Sequence, residues 1–200
     1  NFIENISESK VNELILFIIN EFKKNFRMDE IVYQSSKKFI TSLIGKDIAS
    51  QRNPNIVFQY PYSSRTSELH KDAPPNSIYE IVSWVPLVDC YSSKSFYILE
   101  RKLTEKLLNK HEKGEYSNWA ELRKEAIKLG THLDINYGNA LFFWSGLLHG
   151  SVINKTKESR WSYNVRFKNL FAPAGLKEPL AFYKVLSKSS ITEFALKNIV

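Results

Sequence analysis

Residues 161–171 alternate large apolar and polar side chains, Trp161, Tyr163, Val165 and Phe167 against Ser162, Asn164, Arg166 and Lys168. An extended chain points successive side chains to opposite faces, so this segment is a strand with one apolar face and one polar face. Such a half-buried strand needs a sheet around it and a second layer to cover it. The chain supplies candidates for both. Short runs rich in β-branched and aromatic residues at 56–60, 78–88, 95–99, 132–135 and 140–144 read as further strands.

Helical spacing appears elsewhere. Val11, Leu14, Ile15, Ile18, Ile19, Phe22 and Phe26 recur at i, i+3, i+4 and i+7, with Ser7 or Ser9 and nearby Glu8 as a cap. Phe39, Ile40 and Leu43 mark a weaker helix over 33–44, ended by Gly45. Leu103, Leu107 and Leu108, then Trp119, Leu122, Ala126 and Leu129, predict a helical insertion over about 100–130. Ala172-Pro173-Ala174-Gly175 breaks the sheet, and 181–200 reads as a loop and a final helix without an assigned role. The expected fold is mainly β within α+β: a double-stranded β-helix (jelly-roll, cupin-like) core over 55–171. N-terminal helices at 1–50, the insertion and a C-terminal extension at 172–200 wrap it. At 200 residues and 43% hydrophobic content, one domain is expected.

Composition narrows the class. Lys and Arg are scattered despite a net charge of +7, so no nucleic-acid partner is expected, although anionic small molecules are favoured. No apolar run reaches the roughly 18 residues of a membrane span, and no signal segment is visible at the start. Cys90 is the single cysteine, which rules out an intrachain disulfide. The expectation is a soluble, cytoplasmic protein that acts on a small molecule, its oligomeric state open.

The chemistry centres on His70-Lys71-Asp72, where an imidazole and a carboxylate two residues apart share one side of an extended segment. His149 ends the apolar run 140–148 and is the candidate third member. Two histidines and one carboxylate form the facial triad of non-haem iron, which leaves three coordination positions open. His111 lies among charged residues and reads as solvated, and His132 reads as structural.

These residues resemble the Fe(II)- and 2-oxoglutarate-dependent oxygenases, and within them the phytanoyl-CoA dioxygenase-like branch. The resemblance covers about residues 55–170 and lies in His70-Lys71-Asp72, His149-Gly150-Ser151, Asn154-Lys155-Thr156 and Arg160, eleven positions past His149. It implies that His70, Asp72 and His149 bind Fe(II) and that Arg160 forks onto the distal carboxylate of 2-oxoglutarate. O2 would take the last site, and oxidation of the substrate would be coupled to release of succinate and CO2. Arg166 has the same strand parity and competes for the arginine role, and Ser162 shares that face. Gln59, Tyr60 and Trp84 are further candidates for co-substrate or substrate contacts, and Trp84, Phe142, Phe143 and Trp144 for an apolar wall that keeps water out. The stretch after Cys90 departs from the family pattern, so nothing points to a CoA thioester. Sugars or small secondary metabolites are the expected substrates. Two readings stand beside this one: a metal-dependent cupin-like sugar isomerase or epimerase with Arg160 on a phosphate, and a non-enzymatic jelly-roll module that binds glycans.

Overall fold

The ten-residue strand at 160–169 is the axis on which the other elements are hung. The computed structural model describes residues 8–199, apart from residue 65 and the side chains of Glu8 and Ser9. The cap assigned to Ser7 or Ser9 therefore lies outside the described residues. Helices α1 (Glu8–Asn25) and α2 (Met28–Ile44) come first, then strands β1 (Ile48–Gln51), β2 (Asn55–Gln59), β3 (Glu80–Pro86) and β4 (Tyr97–Ile98). Helices α3 (Arg101–Glu112) and α4 (Trp119–Leu129) form the insertion, followed by β5 (Thr131–His132), β6 (Leu141–Trp144), β7 (His149–Gly150) and β8 (Arg160–Asn169). The chain closes with α5 (Pro179–Phe182), β9 (Tyr183–Ser187) and α6 (Ser190–Lys197). None of the helices in the described residues is long and apolar enough to cross a membrane.

All strand pairings are antiparallel. One edge of β8 pairs with β3, and its other edge takes β2 and then β1, with β6 beyond β3 and β9 beyond β1. A smaller sheet runs β5-β4-β7, and an isolated bridge between His70 and His149 extends it. The two sheets meet through Val82, Trp84 and Phe143 on one side and Phe96, Ile98 and Leu147 on the other. The architecture is α+β with antiparallel sheets.

Helix and loop chemistry closes the outside. Val32, Tyr33 and Ile40 of α2 pack on Tyr163, Val165 and Phe167 of β8. Full burial of a side chain such as Ile40 or Phe167 stabilises by about 1.5–3 kcal/mol. Gly45 ends α2 in the left-handed region at φ 82°, its N–H donating to the Thr41 carbonyl, where any other residue would be strained. Helices α3 and α4 back the smaller sheet through Leu107, Leu122 and Ala126 against Tyr97, Leu99 and Leu148.

Three expectations need correction. Strand β8 is not half-buried: Ser162, Arg166 and Lys168 on its polar face are 0%, 6% and 3% exposed. That face turns toward the second sheet rather than water. The sheet also reaches beyond 55–171, because β1 begins at Ile48 and β9, inside the supposed C-terminal extension, forms its far edge. Short strands with polar but buried side chains, such as Ser50 and Gln51, carry no alternation that marks them. Finally, Phe142 points to the helix side, 5.1 Å from the Phe39 ring, and Trp144 does not line the cavity, its Nε1 donating to the Ile78 carbonyl at 2.6 Å. Phe143, one residue out of phase with both, is the member that faces inward.

Candidate metal centre

His70 and His149 come together through the backbone. The His70 N–H donates to the His149 carbonyl at 2.9 Å and the His149 N–H returns to the His70 carbonyl at 2.8 Å. Directly opposed residues of an antiparallel pair present their side chains on the same face, and the two imidazole centroids are 4.3 Å apart. Each Nδ1 faces a nearby carbonyl, Glu68 at 2.7 Å for His70 and Leu147 at 2.9 Å for His149. With the Nδ1 proton donated there, both Nε2 lone pairs are left for a cation. Burial, and then the neighbouring His70, pull the His149 imidazole down to about 4, so it is held in the neutral, ligating form.

Asp72 completes the group. Its Oδ1 is 4.0 Å from His70 Nε2, and ligand atoms of His70, Asp72 and His149 all lie within 4.8 Å of one another. The donor set is two neutral imidazoles and one carboxylate, the chemistry that suits Fe(II) with open positions. The residues present fit such an ion.

The segments carrying these ligands are stapled. Ser67 N–H donates to Ser151 Oγ and Ser151 N–H to the Ser67 carbonyl, both at 2.8 Å, which fixes the His70 segment to the end of β7. Gly150 sits between them because a Cβ there would stand 2.7 Å from Tyr97 Oη and 3.1 Å from the Ser67 carbonyl oxygen. Asn154 then shapes the loop: its Nδ2 donates to the Glu158 carbonyl at 2.7 Å and its Oδ1 accepts from Thr156 N–H at 3.0 Å. The loop delivers Arg160 as the first residue of β8.

A cavity of about 270 Å³ opens beside the three ligands, lined among others by Asn55, Val57, Trp84, Phe143, Arg160 and Asn164. The two arginines on its wall differ. Arg166 is paired with acids: Nη2 donates to Asp72 Oδ1 at 2.6 Å, Nη1 donates to Gln51 Oε1 at 3.0 Å, and Nε, which makes no hydrogen bond, lies 3.7 Å from Glu80 Oε2. Arg160, 3% exposed, donates only Nη1 to the Ser95 carbonyl at 2.9 Å, and its Nε has no partner. Among the described residues no carboxylate stands within ion-pair distance of it. Burial pulls its guanidinium down to about 10, still charged at neutral pH. A buried cation without a counter-ion is costly, and an incoming anion would relieve that cost.

Other candidates fall unevenly. Ser162 is buried on the same face of β8, with no partner for its hydroxyl, though it is not on the cavity wall. Trp84 lines the cavity, its ring 4.9 Å from Phe96. Gln59 stands opposite Arg160 in register, but its Nε2 donates to the Val152 carbonyl at 2.7 Å and it is not on the cavity wall. Tyr60 falls past the end of β2, its ring 6.0 Å from Phe58, and does not line the cavity either. His111 and His132 lie elsewhere, against Trp119 and Tyr97. Glu80, Gln51, Asn55 and Asn164 also stand at or beside the site, although they are not among the residues expected from the sequence. For Glu80 and Asn164 a signal existed, since each shares strand parity with a residue already chosen, Trp84 and Arg160.

No protein-family model matches the chain, and no curated protein is similar to it in sequence. Solved structures are similar in fold. The non-heme monooxygenase ThoJ in its nickel complex superposes with a TM-score of 0.55 at 14% identity, covering 76% of this chain and 56% of ThoJ. Apo ThoJ gives 0.53 at 12% identity, covering 76% of this chain and 58% of ThoJ. HygX from Streptomyces hygroscopicus, solved with nickel and 2-oxoglutarate bound, gives 0.53 at 11% identity and covers 83% and 80% of the two chains. The chain therefore spans a little over half the length of ThoJ. What it shares with ThoJ and HygX, at such identities, is their fold.

Proposed function

We propose that the chain is an Fe(II)- and 2-oxoglutarate-dependent oxygenase of the phytanoyl-CoA dioxygenase-like branch, built on a double-stranded β-helix and oxidising a small molecule. The observation that carries this reading is the uncompensated Arg160 guanidinium on the wall of the cavity that holds His70, Asp72 and His149. An ion held by the triad alone would suit many chemistries; a buried cation beside it asks for an anionic partner as well. When bound, iron and 2-oxoglutarate supply the activation of O2 that ends in succinate, CO2 and an oxidised substrate.

The chain's own groups have distinct tasks. The Nε2 atoms of His70 and His149 and the carboxylate of Asp72 hold the ion. Arg160 and the free Ser162 hydroxyl receive the far carboxylate of 2-oxoglutarate, and the guanidinium fork sets its orientation. Trp84 and Phe143 give the cavity an apolar side that excludes water from the reacting centre. Asn55 and Asn164 offer amides on the same wall to a polar substrate.

The test is an anaerobic titration of the apoprotein with Fe(II) and then 2-oxoglutarate, watching for the visible charge-transfer band of a keto acid chelated to iron. Appearance of the band, and its loss in Arg160→Ala with iron still bound, is the expected result. Iron binding without the band favours an isomerase or epimerase, and absence of metal binding leaves a binding module.

A further inference from the structure

Asp72 is held from behind by a relay of buried polar groups. Arg166 donates to Asp72 Oδ1 at 2.6 Å and to Gln51 Oε1 at 3.0 Å, and its Nε lies 3.7 Å from Glu80 Oε2. Glu80 is fully buried, and its Oε1 accepts a hydrogen bond from Tyr183 Oη. The members come from β1, β3, β8 and β9 and from the loop carrying Asp72, so four strands converge on one carboxylate. Lys168, in register with Glu80, stays outside the relay, its ammonium donating to the carbonyls of Asn169, Leu170 and Ala172.

Stability does not account for such an arrangement. Interior ion pairs often fail to recover the desolvation of their charges, and well-packed apolar residues serve a fold as well or better. Resting on the reading that His70, Asp72 and His149 hold a divalent ion, we propose that Arg166 is a positioning residue for that ion. It donates to Asp72 Oδ1, the same oxygen that stands 4.0 Å from His70 Nε2, and so fixes the rotation at which the carboxylate meets the two imidazoles. Glu80, anchored by Tyr183, holds the guanidinium in place and offsets its positive charge, which would otherwise weaken the pull of Asp72 on a cation. A carboxylate free to rotate would chelate with both oxygens and take one of the positions that a co-substrate and O2 need. The C-terminal strand β9 thereby acquires a role: through Tyr183 it supports the metal site from the far edge of the sheet.

Anaerobic Co(II) titration of the purified chain tests this, with ligand-field absorption reporting coordination geometry and thermal unfolding of each apoprotein recorded alongside. Arg166→Lys keeps the charge and loses the fork; Glu80→Gln keeps the shape and loses the charge; Tyr183→Phe removes one hydroxyl. The first two should bind Co(II) roughly 10- to 100-fold more weakly with an altered absorption band, as expected when a group that orients a metal ligand is lost. Tyr183→Phe should move the same way by less. Wild-type affinity and an unchanged spectrum in the folded variants, whatever their melting temperatures, would overturn the proposal. If Arg166→Lys fails to fold, Glu80→Gln and Tyr183→Phe decide it by the same readout. A wild-type chain that binds no Co(II) would instead sink the metal reading itself, and this proposal with it.

Discussion

On the helix side of β8, Tyr163, Val165 and Phe167 are buried against Val32, Tyr33 and Ile40 of α2. On the cavity side, Arg160, Ser162, Arg166 and Lys168 are buried as well, and each carries a group that water would solvate better. The same ten residues thus present two interiors governed by opposite terms. The helix-side face gains free energy from every square ångström removed from water and tolerates any shape-matched apolar neighbour. The cavity-side face loses free energy on burial and recovers it only through specific partners: two carboxylates stand by Arg166, a single carbonyl by Arg160, and none by the Ser162 hydroxyl. One face holds the sheet together, and the other is held in place by it.

If that division is right, a substitution on the helix side should reduce stability and spare ligands. Phe167→Ala should cost about 3–5 kcal/mol by the cavity it leaves. Denaturant unfolding measures the loss, and Co(II) affinity of the folded variant should stay at the wild-type value. A large loss of affinity in a variant that remains folded would break the comparison, since the two faces would then be coupled through the strand.

The cavity side should respond in reverse. Arg160→Ala removes a buried charge that lacks a counter-ion, so the apoprotein should unfold no more easily than wild type. Binding of 2-oxoglutarate to the iron-loaded chain should weaken by about 1.5–3 kcal/mol, the range for a hydrogen bond to a charged group. Isothermal calorimetry at saturating Fe(II) reads this directly, and unchanged affinity would remove Arg160 from the co-substrate site.

Gly150 tests how tightly the smaller sheet seats the histidines. Gly150→Ala places a methyl 2.7 Å from Tyr97 Oη, and overpacking of this kind costs about 1–3 kcal/mol. Tyr97→Phe in the same chain withdraws the nearest atom and should restore part of the loss in melting temperature. No recovery would mean that the Ser67 carbonyl oxygen and Tyr97 Cζ, each 3.1 Å from the added methyl, set the constraint.

Much of this was legible in advance, and the limit has a physical form. Periodicity located β8 and its two faces because side-chain alternation is a local property of ten consecutive residues. It left Arg160 and Arg166 equivalent, since both have the same parity. What separates them is Asp72, which lies 94 positions from Arg166 in sequence and 2.6 Å away in space. The resemblance puts Tyr60 among the co-substrate or substrate contacts, but β2 ends at Gln59 and the β2 residues on the cavity wall are Asn55 and Val57. Strand β9 carries no such signal, because an edge strand with an exposed Val185 and an interior Tyr183 shows no apolar run. Local pattern gives elements and faces; pairing between distant elements decides which polar group is satisfied and which is left open.

Ser162 offers the finest resolution of that difference. It sits on β8 two residues from Arg160, opposite Val57 of β2 and Pro86 of β3, with its hydroxyl buried and without a partner. A buried hydroxyl left unpaired costs about 1–3 kcal/mol, so Ser162→Ala should raise the unfolding free energy of the apoprotein by something near the low end of that range. If the hydroxyl serves 2-oxoglutarate, the same substitution should lower co-substrate affinity by about 0.5–1.5 kcal/mol, a few-fold to roughly tenfold in Kd. The two effects carry opposite signs, which no loss of packing produces. A gain in stability with unchanged affinity would assign the co-substrate carboxylate to Arg160 alone, and a loss in both would place Ser162 among the groups that hold the sheet together.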